Sequence, residues 1–180
     1  MRFKGPLAVL ATLAVLLVAA PSASAAARGC QAANAAVNKV SNRALVRATL
    51  CVLNGQRARQ GLGPLRLNRK LSKAARLHSR AMARKRFFSH TSLDGTDFVT
   101  RIRRSGYLSG ARSWSVGENI AWGSGDRSTP RSIGSAWMDS PPHRANILSS
   151  SYRAIGIGIS LGTPSGDSGA TYTTDFGRRG

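Results

Sequence analysis

The chain of 180 residues carries 27 Lys and Arg against 7 Asp and Glu, a formal net charge of +20. Its length suits one domain with a buried core. The absence of an internal repeat, of a recognition helix and of a base-stacking aromatic motif argues against a repeat array or a nucleic-acid-binding design. The charge reads first as a solvated, arginine-rich surface, and its alternative is a field that attracts an anionic cell-wall polymer or lipid.

Arg2 and Lys4 precede an apolar run from Leu7 to Ala20, which is followed by Pro21 and Ala23-Ser24-Ala25. Basic residues, a greasy stretch and small residues at a cleavage position mark residues 1–25 as a secretory signal peptide, and the stretch falls short of the roughly 20 residues that span a bilayer. Cleavage after Ala25 leaves 25 basic and 7 acidic residues, a net charge of +18, with no transmembrane segment downstream. The mature protein is then expected to be secreted, extracellular and monomeric. An exported chain with two cysteines and no metal-type spacing favours a disulfide between Cys30 and Cys51, which fastens the N-terminal arm (26–48, including the start of the first helix) to the body.

The first helix is expected from Ser41 to Gln60, with Ala44, Ala48 and Cys51 on one stripe, Val46, Leu50 and Leu53 beside it, and Gly61 at its C-terminal end. A second follows Asn68, a good N-cap, and its Leu71, Ala75, His78 and Met82 recur at helical spacing, so His78 faces the core as a structural group. His90 then lies in a loop just after Phe87 and Phe88. Asp94-Gly95 turns the chain into a short amphipathic helix that carries Phe98 and Ile102.

Glu118 is the only glutamate in the chain. It enters the apolar run Ile120-Ala121-Trp122, which reads as a buried strand, and a carboxylate entering such a strand is placed rather than solvated. Thr129-Pro130 starts a helix whose buried stripe is Ile133, Ala136 and Trp137, and Ser140-Pro141-Pro142 opens another with His143 in its first turn. There the helix dipole favours the neutral imidazole, suited to metal ligation or hydrogen bonding. Ile155, Ile157 and Ile159 alternate with Gly156, Gly158 and Ser160, a strand with one bulky face and one bare face for close helix packing. Tyr172, Thr174 and Phe176 alternate in a returning strand. Helices first and an antiparallel hairpin last make an α+β domain with a sheet between helical layers.

Asn54-Gly55-Gln56-Arg57, Phe88-Ser89-His90-Thr91, Gly117-Glu118-Asn119-Ile120-Ala121, Trp137 ahead of His143-Arg144-Ala145-Asn146-Ile147-Leu148, Ile155-Gly156-Ile157-Gly158 and Tyr172-Thr173-Thr174-Asp175-Phe176-Gly177 stand in this order. Together they resemble the bacterial branch of the CAP superfamily: cysteine-rich secretory proteins, antigen 5 and pathogenesis-related class 1 proteins, the SCP-like extracellular proteins. The resemblance covers residues 49–177, leaving 178–180 as a tail, and implies a three-layer α-β-α sandwich with a C-terminal antiparallel hairpin. It implies a cavity lined by His90, Glu118 and His143, able to hold zinc or another divalent metal. The family's second glutamate is missing. Ser140 stands in its place, with the shorter carboxylate of Asp139 adjacent as a substitute.

Two imidazoles and one carboxylate are a reasonable zinc set with an open position for water. A Glu118 that ligates metal cannot also be the general base, however. No Gly-x-Ser-x-Gly elbow, His-Glu-x-x-His helix or free nucleophilic cysteine is present. The expected function is a non-enzymatic extracellular binding module for a lipid or cell-wall component, and its alternative is a metal-dependent, peptidase-like hydrolase of the envelope or medium.

Overall fold

The structure, a computed structural model, describes Met1 and residues 30–180. The expected signal peptide lies outside the described residues apart from Met1. Ser41 accepts a hydrogen bond from the Ala44 N–H and opens α1 (Asn42–Arg59). That helix stops where Gly61 predicts. Gly61 takes φ +66°. Its N–H bonds Ala58 O, and the Leu62 N–H bonds Arg57 O, the paired bonds of a Schellman motif. A two-residue strand β1 (Arg66–Leu67) leads into α2 (Arg69–Lys85), where the Asn68 side chain caps the N–H groups of Lys70 and Leu71. Asp97 caps the short α3 (Phe98–Arg104) through Thr100 N–H. Strand β2 (Trp114–Ser124), a 3-10 turn, α4 (Pro130–Asp139) and α5 (Pro141–Leu148) follow, and β3 (Ala154–Leu161) and β4 (Gly169–Arg179) close the chain.

The sheet order is β1-β3-β4-β2. The expected hairpin β3–β4 is antiparallel, β2 adds antiparallel to β4 as an edge strand, and β1 pairs parallel with β3. Alternation along β3 decides the layers. Ile155, Ile157 and Ile159 face α1, α4 and α5 and join Leu45, Leu53, Trp137, Tyr172 and Phe176 in the main core. Gly156 and Gly158 face α2, where an added Cβ would lie 2.1 Å from the Leu71 carbonyl carbon and 2.2 Å from that of Ala75. The bare face therefore lets the α2 backbone rest directly on the sheet. A smaller core of Leu71, Ala74, Ile102, Tyr107 and Leu108 fills the space between α2 and α3. The result is the α-β-α sandwich that the sequence implies.

Cys30 and Cys51 form a disulfide, with Cα atoms 5.4 Å apart, that ties the arm to the third turn of α1. Arg57, at the far end of that helix, is fully buried, and its guanidinium donates to the carbonyls of Gly63, Ile147 and Ser149. It thereby satisfies carbonyls at the C-terminal end of α5 and locks the layer together.

Three local expectations need correction. The buried stripe of α1 is Leu45, Ala48, Thr49, Val52 and Leu53, lying between the two stripes read from sequence, so Ala44 and Val46 are only half-buried. Small and bulky apolar residues surround that helix, and the tertiary partner chooses the face. On α4, Ala136 is exposed, while Gly134 is buried against Val52. Trp122 is 40% exposed because β2 is an edge strand with no neighbour beyond it.

Candidate functional site

Glu118 sits mid-strand in β2, opposite Asp175 of β4. Its side chain is 1% exposed, pointing into the α2/α3 layer. Oε1 lies 2.8 Å from His90 Nδ1, and Arg101 Nη2 reaches both carboxylate oxygens, at 3.0 and 2.8 Å. Arg101 is delivered by α3, one turn after the Asp97 cap, and its Nη1 donates to Ser92 Oγ and Thr96 O, which holds the guanidinium in place. Burial alone would raise the Glu118 pKa. The His90 hydrogen bond and the Arg101 and His78 charges outweigh it and keep the carboxyl below its ordinary range.

His90 itself is half-exposed, its side chain 49% accessible. With Nδ1 held by a carboxylate, its Nε2 is left as the free ring nitrogen, an arrangement that fixes the ring orientation. His78 secures the loop beneath: Nε2 donates to the Ser89 carbonyl at 2.9 Å, next in sequence to His90. Burial lowers the His78 pKa. It is 1% exposed and packs edge-on against Phe87 at 5.9 Å, in keeping with a structural histidine.

His143 approaches from the other layer. The motifs around Glu118 and His143 interlock across the sheet edge: Asn119 Nδ2 donates to His143 O, and Asn146 Nδ2 donates to Glu118 O and Asn119 Oδ1. His143 Nδ1 is 2.8 Å from Ser140 Oγ, leaving Nε2 free. Its pKa is lowered by burial and then by the His90 charge. Glu118 is not hydrogen-bonded to His143. Asp139, at the end of α4, is exposed and makes no hydrogen bond or ion pair with these groups. Ser140 occupies that role instead.

Among the described residues no group of three His, Cys, Asp or Glu side chains is set to ligate a metal ion. The two imidazoles each keep Nε2 free, and the Glu118 carboxylate stands behind His90. Sequence reasoning missed three members of the site. Arg101 is one basic residue among many. Asn146 lies inside a quoted motif without an assigned task. Asp175 becomes a neighbour of Glu118 only through strand register. Asp175 is fully buried, and its Oδ1 has no hydrogen-bond partner. Burial, then the adjacent Glu118 charge, pushes its pKa well above the ordinary carboxylate value, which favours its protonated form.

An α-β-α sandwich with paired histidines flanking a sheet-edge glutamate defines an SCP-type domain. The chain belongs to the CAP family, the cysteine-rich secretory protein family, whose family model matches residues 50–175. It is 35% identical over 123 residues to the Bacillus subtilis (strain 168) protein YkwD, covering 68% of this chain and 43% of that protein, so it spans less than half of that relative's length. Among solved structures it is similar to an outer surface protein of Borrelia burgdorferi, at a TM-score of 0.64, 21% identity, and coverage of 78% of this chain and 97% of the other. It is also similar to an extracellular protein containing an SCP domain from Bacillus anthracis str. Ames, at a TM-score of 0.57, 23% identity, and coverage of 76% and 43%. These structural likenesses establish the shared fold.

Proposed function

We propose that this protein is a secreted CAP-family binding module that engages a lipid or cell-wall component of the envelope without turning it over. In this reading, His90 and His143 hold an exchangeable divalent metal such as zinc through their Nε2 atoms. The observation that carries it is the state of Glu118. It is sealed from solvent, with one oxygen shared by His90 and Arg101 and the other on Arg101, so it cannot accept a proton from a water molecule in the open. Its work is to orient His90. Two imidazoles, each with its Nδ1 already tethered, fit a cation whose remaining positions are filled by water or ligand. When bound, such an ion would supply a fixed positive charge for an oxygen-bearing ligand. The partial exposure of His143 and the exposure of His90 leave one rim of the site open to that ligand.

The test is zinc titration of the purified protein by calorimetry, with a parallel turnover assay on peptides and wall polymer. Stoichiometric binding that disappears in His90→Ala and in His143→Ala but only weakens in Glu118→Gln is the expected result. Turnover abolished by chelator and by Glu118→Gln would establish the hydrolase instead. Zinc binding unaffected by either histidine change would remove the site from the proposal.

A further inference from the structure

The basic residues of α2 are arranged rather than scattered. At 3.6 residues per turn, Arg69, Lys73, Arg76, Arg80 and Arg84 fall within an arc of about 80°, with Leu77 at its border. All are exposed, and α2 contains no acidic residue. Among the described residues, none of these five cations takes part in an ion pair or side-chain hydrogen bond, in contrast to Arg57 and Arg101. Apart from Arg84 in the last turn, where the helix dipole favours a cation, the row adds no pairing to the fold. Arg69–Lys73, Arg76–Arg80 and Arg80–Arg84 are like-charge pairs one turn apart, which repel. Arg69 and Lys70 also stand in the first turn, where the helix dipole disfavours cations.

Apolar side chains border the row on both sides. Leu77 is 53% exposed and Leu161, at the end of β3, is 56% exposed. Both line a groove of about 460 Å³ with Arg76, Arg80 and Arg84. On the other flank Leu77 also lines a second groove, of about 350 Å³, together with Leu93, Lys73, Lys85 and Arg104. Leu93 is 64% exposed. The one acid there, Asp94, has its carboxylate engaged by the Thr96 N–H.

We propose that the outward face of α2, with Leu161 and Leu93 at its margins, docks the protein onto an anionic phospholipid surface. A row of free arginines would serve any polyanion. Exposed leucines bordering them add nothing against a phosphate polymer in water, whereas at a bilayer they enter the headgroup–acyl boundary while the arginines meet lipid phosphates. Arginine suits that contact because its planar donors bind phosphate oxygens in pairs. The α2 face and its Leu161 groove contain none of His90, Glu118 and His143, although the Leu93 groove is also lined by Arg101, which holds Glu118, and the proposal rests on the proposed function only in placing the protein at an envelope. Zinc binding and docking can therefore fail separately.

The experiment is co-sedimentation with vesicles of phosphatidylglycerol and phosphatidylcholine, and with phosphatidylcholine alone, using three variants that change only exposed side chains. Binding is expected on the anionic vesicles alone. With about fivefold per cation near an anionic surface, Arg76→Gln/Arg80→Gln/Arg84→Gln should weaken partitioning about a hundredfold. Arg43→Gln/Arg47→Gln/Arg59→Gln removes equal charge from α1 in the opposite layer and should change it little. Leu77→Ala/Leu161→Ala should cost about tenfold on vesicles and nothing for soluble polyphosphate. Equal losses from the two arginine triples would reduce the effect to net charge and overturn the proposal. Leucine-independent binding, with polyphosphate competing as strongly as lipid, would assign the face to an anionic polymer and overturn it as well.

Discussion

Removing Arg101 isolates the most consequential charge pair in the molecule. In Arg101→Met the Glu118 carboxylate, 1% exposed, keeps only the hydrogen bond to a half-exposed His90. The Ser92 and Thr96 oxygens lose their donor as well. Breaking a buried pair on one side leaves an uncompensated charge, and with Arg101 itself 10% exposed the loss belongs at the lower end of the usual range, about 3 kcal/mol. For a domain of this size that is about 6–12 °C in Tm. Adding Glu118→Gln removes the orphaned charge, so the double variant should recover about 2 kcal/mol of coupling energy. The pH profile supplies a second readout. The folded pKa of Glu118 lies below its ordinary value of 4.5, so its stabilisation is complete above that pH and is lost as pH falls through the folded value. Without Arg101, desolvation wins, the folded pKa rises, and the acid limb of the stability curve moves to higher pH. Urea denaturation from pH 3 to 8 measures both effects. A loss under about 0.5 kcal/mol, or a double variant no better than the single, would refute the view of Arg101 as the counter-ion that allows this carboxylate to be buried.

Other changes probe the scaffold. Gly158→Ala places a methyl group 2.2 Å from the Ala75 carbonyl carbon and 2.3 Å from Arg76 N, atoms of the α2 backbone that cannot rotate away. It should therefore cost at least about 3 kcal/mol, at the upper end for overpacking, and a Tm unchanged within error would show that α2 can lift freely. Reduction of Cys30–Cys51, or Cys30→Ser/Cys51→Ser, opens a link across 21 residues and should lower stability by about 3 kcal/mol in the chain-entropy view, with an unchanged melting curve as the contrary result. For Asp175→Asn the sign reverses relative to Glu118. The folded pKa is raised above its ordinary 3.8, so wild-type stability falls as pH rises from that value through the folded one. The variant should gain on wild type across that window, and a difference constant from pH 4 to 8 would mean that Asp175 folds already ionised.

The parts of this fold that were legible in the sequence are those fixed by local chemistry. The Asn68 and Thr129 caps, the left-handed stop at Gly61 and the Ile/Gly alternation of β3 each follow from one to four residues and their immediate backbone. Features that depend on which neighbour lies beyond an element were not legible. Alternation gives the two faces of β2, yet only the sheet order makes it an edge and leaves Trp122 partly exposed. Helical spacing gives α1 a periodicity, yet only the packing of α4 and α5 selects Leu45, Thr49 and Val52 over the stripes beside them.

The site divides along the same line. His90, Glu118 and His143 stand out because histidine and glutamate are rare here, three and one in 180 residues, so each position is informative. Arg101 is hidden by abundance, since 27 Lys and Arg dilute the one guanidinium that is held by four acceptor contacts at the carboxylate and its loop. Asp175 is hidden by register. Its side chain meets Glu118 only because β2 and β4 pair with these two residues opposite, and a slip of one residue would turn Asp175 to the other face. One guanidinium can balance one carboxylate, so the same register that brings the second acid in also raises its pKa. The electrostatic state of the site is thus a property of strand pairing, and Glu118 retains its charge, and with it its hold on His90, only while that pairing is intact.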